Sequence, residues 1–223
     1  MYDHQTFSFT SNSYGNLPII HRNYFFQISN FNLSHLKISK SNSSLSLVKS
    51  TILINTLDMV RDVDGDLAEM GVYKGGSAYL IHKKYPNRIL HLFDSFEGMK
   101  APIQNNEYHK EKDFSDTSLD KIRKIFKNHP NVNFYKGWFP SSIPENIYDK
   151  KFSFVHIDGD FYESTVDSIE FFYPRLSKNG VIIIDDYHSI NVNVKRALKE
   201  MQQKLKFRFY VPNLEQAIIK KTI

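Results

Sequence analysis

The feature that most constrains this sequence is an alternation of short apolar runs with helical stretches from residue 66 onward. Alternation at this spacing is typical of βαβ units and of a mostly parallel sheet. The run 181–184 is apolar at every position, as in a strand buried on both faces. The sequence therefore predicts an α/β fold. Strands are predicted at 66–71, 88–94, 132–136, 152–158 and 180–186, and helices near 76–85, 117–128 and 163–176.

Further elements are predicted on both sides of this block. A helical period begins at Leu45, and Leu45, Val48, Ile52, Leu57 and Val60 can share one apolar face. A helix near 192–205 follows the fifth strand. Two more strands, 206–211 and 215–220, lie close enough together to form an antiparallel hairpin at a sheet edge. The prediction is thus a seven-stranded sheet with helices on both faces.

Residues 1–45 differ from the rest of the chain. They are rich in Asn, Ser, Phe and Tyr, and they show no sustained helical or strand period. Their aromatic content argues against plain disorder, which is usually poor in aromatic residues. We expect an N-terminal arm over 1–45 that packs on the body or on a second subunit, and one catalytic or binding domain over 46–223.

Composition excludes several classes of function. Cysteine is absent, so the chain has no disulfide, thiolate metal site or cysteine nucleophile. No signal peptide and no apolar run of ~20 residues is present, which favours a cytoplasmic protein without a membrane span. The net charge is +5, and the lysines and arginines are scattered along the chain, which favours a solvated basic surface over a nucleic-acid site. Weak attraction for an anionic substrate, such as a nucleotide-linked sugar, is the alternative.

A glycine-rich turn follows the first predicted strand. It contains Glu69, Gly71, Gly75 and Ser77, and Ser77 falls at a helix start where backbone N–H groups could hold a carboxylate. The spacing is not the dinucleotide fingerprint G-x-G-x-x-G. The turn predicts either a small-molecule site or an ordinary strand-to-helix connection.

An acidic residue, Asp94, ends the second predicted strand, and Ser95 follows it. A carboxylate at this place suits a ribose diol, because it can accept two hydroxyl hydrogen bonds. The alternative role is a turn cap. Together with the glycine-rich turn, Asp94 predicts nucleoside binding. Trp138, the only tryptophan, is expected either to flank an adenine ring or to belong to the core.

Pairs of aspartates follow the fourth and fifth predicted strands. Asp158 and Asp160 end one strand, and Asp185 and Asp186 end the next. If these strands are neighbours, the carboxylates converge and repel one another unless a hard cation such as Mg²⁺ binds them. Helix caps are the alternative role. His156 shares a strand face with Asp158 and is expected to be a packed histidine, with a supporting role at the site as the alternative.

The segments GDLAEMGVYKGGSA, LFDSFEGM and FVHIDGDFYESTVDSIEFFYPRLSKNGVIIIDDY resemble the macrocin O-methyltransferase family over residues 45 to 220. That family includes enzymes that methylate sugar hydroxyls on macrolides and aminocoumarins. The resemblance implies a class I, Rossmann-like methyltransferase sheet with strand order 3-2-1-4-5-7-6, S-adenosylmethionine as donor, and Mg²⁺. The arm and the stretch HSINVNVKRAL do not match the family's pattern, so the acceptor is not specified.

The resemblance also implies roles for single residues. Glu69, Gly71 and Ser77 would hold the methionine end of the donor, and Asp94 would hold its ribose. Asp158, Asp185 and Asp186 would ligate Mg²⁺, and Asp160 would be the general base. The predicted donor-binding set is Glu69, Gly71, Gly75, Ser77, Asp94, Ser95 and Trp138.

The function that this resemblance implies is metal-assisted methyl transfer to a sugar hydroxyl. Two alternatives remain open, a catechol-type O-methyltransferase acting on a vicinal diol and a non-catalytic nucleotide-binding protein. NAD-dependent oxidoreduction is disfavoured by the glycine spacing. His188 follows Asp185 and Asp186 and is a further candidate for the metal site. A homo-oligomer is a further prediction.

Overall fold

The computed structural model describes residues 45–104, 107–188 and 193–222. Seven strands form one sheet in the order β3-β2-β1-β4-β5-β7-β6, which confirms the predicted order. The strands are β1 (Asp66–Met70), β2 (Leu90–Asp94), β3 (Val132–Lys136), β4 (Phe152–Ile157), β5 (Leu176–Asp185), β6 (Phe209–Tyr210) and β7 (Gln216–Lys220). The predicted arm, apart from Leu45, lies outside the described residues.

Five α-helices flank the sheet in the described residues. Helix α1 begins where the Ser46 side chain accepts a hydrogen bond from the Lys49 backbone, and Ser118 caps α3 in the same way. The helices are α1 (Leu47–Asp58), α2 (Gly76–Lys84), α3 (Leu119–Ile125), α4 (Tyr162–Arg175) and α5 (Val194–Leu205). None of the described helices combines the length and apolar character required to cross a bilayer.

The pairing of the strands brings the functional ends together. Strands β1 to β5 pair in parallel with one another. Strand β7 is antiparallel to both β5 and β6. Ile157 on β4 pairs with Ile184 on β5, so the next residues, Asp158 and Asp185, leave the sheet side by side. The expected convergence of the two aspartate pairs follows directly from this register.

Two strands, β5 and β6, depart from their predicted bounds by more than two residues. Strand β5 begins at Leu176 rather than at residue 180, because Leu176 already pairs with Phe152 before an irregularity in the ladder. Strand β6 is limited to Phe209–Tyr210. The final hairpin is antiparallel as expected, but β7 lies inside the sheet and only β6 forms the edge.

The core consists of one apolar layer on each face of the sheet. On one face, side chains such as Leu67, Leu92 and Ile183 pack with α1, α2 and α3. On the other face, Ala68, Val155 and neighbouring side chains pack with α4 and α5. Both faces of β4 and β5 are covered, which explains the unbroken apolar run at 181–184.

The buried face of α1 is rotated from the predicted one. Val48 is 56% exposed, so its placement in the apolar stripe was wrong. Leu45, Ile52, Leu57 and Val60 are buried as expected. Lys49, with a side chain only 14% exposed, falls in phase with these residues instead. A charged residue therefore points inward from α1.

Candidate active site

A cavity of about 340 Å³ lies at the carboxyl ends of the parallel strands. This is the location at which open α/β sheets bind ligands, and the volume is within the range of small-molecule sites. One part of the lining contains Gly71, Asp94, Ser95 and Trp138. Another part contains Asp158, Asp160, Asp185 and Asp186. Eight of the predicted site residues therefore meet around one space.

Asp94 joins the glycine-rich turn to the end of β2. One carboxylate oxygen accepts hydrogen bonds from the backbone N–H groups of Val72 and Tyr73, at 2.7 and 2.9 Å. The other oxygen accepts a bond of 2.6 Å from the backbone of Phe96. Asp94 is thus a turn cap that also lines the cavity, so the two roles considered from sequence coexist at this residue.

Gly71 lies where the chain leaves β1 and passes close to the loop after β4. Its φ is +87°, and a Cβ atom at this position would lie 1.9 Å from the carbonyl oxygen of Asp158. No side chain can be accommodated there without moving that loop. The glycine is required because the turn that borders the cavity contacts the backbone of the acidic end.

Glu69, Gly75 and Ser77 stand outside the cavity lining. Glu69 is fully buried beneath it, and the nearby Ser77 is 4% exposed. Gly75 adopts a left-handed conformation as the N-cap of α2. Their predicted role toward a donor molecule stays a prediction.

The aspartate cluster is compact and partly enclosed. Ligand atoms of Asp158, Asp160 and Asp186 lie within 4.8 Å of one another. Burial and the neighbouring carboxylates of Asp185 and Asp186 raise the pKa of Asp158. Burial, Asp158 and Asp186 raise the pKa of Asp160 in the same way. A carboxylate with a raised pKa is a stronger base, which suits proton abstraction.

The backbone at two of these aspartates is unusual. Asp160 and Asp186 have φ values of 60° and 61°, in the left-handed region that non-glycine residues rarely adopt. Such conformations cost of order 1–3 kcal/mol and concentrate at functional sites. The chain thus accepts local strain where it directs two carboxylates into the cavity.

Lys49 reaches the cluster from α1. Its ammonium nitrogen lies 2.8 Å from Oδ1 of Asp186 and 3.4 Å from Oδ2 of Asp185. Burial alone would lower the pKa of Lys49, but the carboxylates of Asp185, Asp158 and Asp186 outweigh it and raise the pKa. The sequence predicted a metal because the clustered aspartates repel one another. The ammonium of Lys49 offsets part of that repulsion.

His156 is a packed histidine, fully buried between two carboxylates. Its Nδ1 lies 2.7 Å from Oε1 of Glu69, and its Nε2 lies 3.3 Å from Oδ1 of Asp185. Burial would lower the pKa of His156, yet Asp185 and Glu69 raise it well above its usual value. Gln216 on β7 donates a further hydrogen bond of 2.7 Å to Asp185. These contacts fix the orientation of Asp185.

A long connection between β2 and α3 covers one side of the cavity. Glu107 accepts a hydrogen bond from the backbone of Tyr162 at the start of α4, which ties this connection to the helix. His109 lines the cavity, with Nε2 3.7 Å from Asp160 and Nδ1 3.2 Å from Asp113. His109 therefore contacts the residue predicted to act as the base.

Trp138 and His188 are both at the surface. Trp138 is 42% exposed and borders the cavity, so it does not belong to the core. His188 is exposed, packs edge-on against Tyr187 and stands outside the cavity lining. In this structure His188 does not reach the site.

The donor set fits a divalent cation. Ligand atoms of Asp158, Asp160 and Asp186 lie close together, and so do those of His156, Asp158 and Asp185. The predicted ligands Asp158, Asp185 and Asp186 are therefore divided between two groups that share Asp158, and the predicted base Asp160 belongs to one of them. Oδ2 of Asp185 is buried and receives no hydrogen bond from the described part of the chain. Mg²⁺ prefers such oxygen ligands. In the structure, the carboxylates of Asp185 and Asp186 contact the ammonium of Lys49.

Sequence reasoning missed Lys49 and His109. Lys49 carries a detectable signal, since it is four residues after Leu45 and three before Ile52 and so falls in phase with buried positions. No comparable signal identifies His109, which is in an irregular connection. Its position depends on the path of that connection over the cavity.

Comparisons with known proteins agree with this geometry. Residues 51–217 match the model of the macrocin-O-methyltransferase (TylF) family. A 142-residue segment is 34% identical to 8-demethyl-8-(2,3-dimethoxy-alpha-L-rhamnosyl)-tetracenomycin-C 4'-O-methyltransferase of Streptomyces olivaceus, covering 56% of this chain and 54% of that protein. Demethyldecarbamoylnovobiocin O-methyltransferase of Streptomyces niveus is 31% identical over the same length, with the same coverage. The matched segment thus spans about half the length of these relatives.

The fold of this chain resembles solved methyltransferase structures, among them NovP and CalS11. The O-methyltransferase NovP superposes with a TM-score of 0.66 at 26% identity, covering 78% of this chain and 81% of that one. The calicheamicin methyltransferase CalS11 also gives a TM-score of 0.66, with coverage of 94% and 99%. Its identity of 16% means that this second likeness supports the fold alone.

Proposed function

The chain belongs to the macrocin O-methyltransferase family, and we propose that it is an S-adenosylmethionine-dependent, Mg²⁺-assisted O-methyltransferase. The acceptor is a sugar hydroxyl of a glycan, nucleotide sugar or glycosylated natural product. The observation that carries the proposal is the meeting of Asp94 with the cluster of Asp158, Asp160 and Asp186 around one cavity. This arrangement supports a ribose-binding role for Asp94 and a proton-accepting role for Asp160 on two sides of one reaction space.

The donor lies at the end of the cavity formed by the first two strands. Gly71 brings the turn against the backbone of Asp158. Oδ2 of Asp94 already accepts two backbone bonds from the turn, so Oδ1, which accepts one from Phe96, is the atom with a lone pair for a ribose hydroxyl. Trp138 offers a partly exposed aromatic face for the adenine ring. Ser95 continues the same edge, and Glu69, Gly75 and Ser77 support the turn from below.

The reaction takes place at the end formed by β4 and β5. Asp160 would accept the proton of the acceptor hydroxyl while that oxygen attacks the methyl carbon; the carbon–sulfur bond breaks, its electron pair stays on sulfur, and S-adenosylhomocysteine leaves. S-adenosylmethionine would supply the electrophilic methyl group, and Asp158, Asp185 and Asp186 would hold Mg²⁺, whose positive charge would lower the pKa of the acceptor hydroxyl. The chain's main contribution is to position the two reacting groups.

The sugar acceptor is supported by the names of two relatives. One is a 4'-O-methyltransferase of a rhamnosyl-tetracenomycin, and another is mycinamicin III 3''-O-methyltransferase of Micromonospora griseorubida, which is 33% identical over 144 residues. Residues 1–45 contribute to acceptor binding in this proposal. Deleting residues 1–40 is expected to preserve folding and donor binding and to abolish acceptor methylation, which circular dichroism, calorimetry and turnover would measure.

The decisive experiment is methyl transfer from radiolabelled S-adenosylmethionine to two probes, methyl α-L-rhamnopyranoside and catechol. Each is tested with Mg²⁺ and with a chelator. Transfer to the rhamnoside that requires Mg²⁺ supports the proposal. Transfer to catechol alone would assign the protein to the catechol-type alternative. Failure to bind S-adenosylhomocysteine in calorimetry would remove the methyltransferase function altogether.

A further inference from the structure

Lys49 occupies a position that a divalent cation would also need. Its ammonium lies 2.8 Å from Asp186 and 3.4 Å from Asp185, and all three residues line the cavity. Oxygen atoms that ligate Mg²⁺ lie about 2.0–2.1 Å from the ion. An ion bound to the same oxygens would therefore be close to the ammonium and would repel it strongly.

The helix that carries Lys49 is firmly anchored. Ile52 and Leu53, one turn further along α1, are 4% and 0% exposed in the core. Ser46 caps the helix start through the backbone N–H of Lys49 itself. The backbone of Lys49 is thus held in place, and only its four-carbon side chain can move away from the carboxylates.

The contact has a role when no ion is bound. Asp185 is 2% exposed, and its Oδ2 atom receives no hydrogen bond from any described residue. Uncompensated buried carboxylates are costly. Lys49 provides the positive charge next to Oδ2 that keeps the empty cluster tolerable.

We propose that Lys49 is an internal competitor of the divalent cation, which must displace its ammonium from Asp185 and Asp186 in order to bind. Lys49 therefore sets the affinity of the site for the ion. This inference rests on the proposed function, because it assumes that the aspartate cluster binds such an ion. It assigns Lys49 a positioning role and not a step in the chemistry.

The test is titration of the purified full-length protein with Mn²⁺ alone, in which calorimetry or electron paramagnetic resonance measures the binding. Lys49→Met is expected to bind Mn²⁺ about tenfold more tightly than the wild type, because the competing charge is gone. Lys49→Arg retains the charge and is expected to stay within about threefold of the wild type. The matched control is Lys100→Met, which removes another lysine from the cavity lining, one that interacts with Asp167.

The outcomes separate cleanly. Tighter binding in Lys49→Met but not in Lys100→Met supports competition at the carboxylates. Equal tightening in both variants would overturn it, because a general field effect would explain the change. A wild type that binds Mn²⁺ while Lys49→Met binds no better overturns the inference and leaves the proposed metal in place. Absence of Mn²⁺ binding in every variant overturns both.

A measurement on the wild type covers the case in which Lys49→Met does not fold. Crystal structures are determined with and without Mn²⁺ at the same pH. With the ion bound, Nζ of Lys49 is expected more than about 4 Å from Oδ1 of Asp186, beyond the limit of an ion pair. An ammonium that remains in contact with both aspartates beside the bound ion would overturn the proposal.

Discussion

The Nε2 atom of His156 lies 3.3 Å from Oδ1 of Asp185, and both side chains are buried. Burial would raise the pKa of Asp185, but the charges of His156 and Lys49 and a hydrogen bond from Gln216 lower it. The histidine also contacts Glu69 on its other side. The buried imidazole of His156 thus lies between two carboxylates, that of Glu69 below the cavity and that of Asp185 in its lining.

Replacing His156 with Leu is expected to lower the free energy of unfolding by about 3–5 kcal/mol, because it leaves the buried Glu69 without its charged partner and leaves Asp185 with Lys49 as its remaining cation. Thermal and urea unfolding measure the loss. The matched variant is the double substitution His156→Leu with Glu69→Gln. If the loss comes from charge, the double variant is less destabilised than the sum of the two single variants. Additive losses would mean that packing alone is responsible.

The aspartate variants separate metal binding from proton transfer. Asp158→Asn is expected to abolish Mg²⁺-dependent turnover with donor binding nearly intact, because it removes a ligand oxygen charge. Asp160→Asn is expected to retain Mn²⁺ binding and to lower the rate by about 10²–10⁴, the usual contribution of a general base. Turnover against Mg²⁺ concentration and Mn²⁺ titration measure the two effects. Full wild-type activity in a chelator would contradict the metal assignment.

Asp94 has both a structural and a binding role. Asp94→Asn is expected to weaken S-adenosylhomocysteine binding by about 10- to 100-fold, since it loses charge-assisted bonds to the ribose of about 1–3 kcal/mol. Some loss of thermal stability accompanies this, because Val72 and Tyr73 donate to the same carboxylate. Calorimetry and thermal unfolding give the two numbers. Unchanged affinity with reduced stability would leave Asp94 as a turn cap only.

Two glycines of the first turn differ in what a side chain would meet. In Gly71→Ala the new Cβ collides with the backbone of Asp158, so we expect a loss above about 4 kcal/mol or failure to fold. In Gly75→Ala the nearest atoms are side-chain carbons at 3.5 Å, and only the left-handed backbone conformation, worth about 1–2 kcal/mol, opposes the change. Unfolding free energies of both variants test this order, and equal losses would contradict it.

His82 makes stability depend on pH. Burial, with smaller contributions from His129 and Lys83, lowers the pKa of His82 from 6.5 to about 4. The unfolded chain therefore binds a proton between pH 6.5 and 4 that the folded chain excludes, and stability falls as pH drops through this window. His82→Phe cannot bind that proton, so it is expected to lose about 1–3 kcal/mol less than the wild type between pH 7 and 4. Parallel losses in both proteins would refute the prediction.

Much of the architecture followed from residue pattern. The apolar run at 181–184 and the regular spacing of strands and helices gave the parallel core of the sheet, and glycine and aspartate at strand ends marked the cavity. These signals are local, because a doubly buried strand needs apolar residues at every position. The family resemblance added the strand order and the position of β7.

The inaccurate predictions concern interactions between distant parts of the chain. Lys49 and Asp186 are 137 residues apart, and no local period encodes their ion pair. Strand β5 starts early because Leu176 meets Phe152, although the polar residues after Leu176 suggest a turn. Val48 was assigned to the buried face because its side chain is apolar, yet it is 56% exposed. Tertiary contacts decided each of these cases.

Strand β7 has a consequence for how the chain acquires its structure during synthesis. It follows β6 in sequence but lies between β5 and β6. A ribosome-bound chain that has emerged only as far as residue 214 exposes the apolar edge of β5 and has no partner for β6, and exposed strand edges invite aggregation. Gln216, at the start of β7, also holds Asp185. Folding during synthesis therefore cannot complete the acidic end of the cavity before β7 emerges.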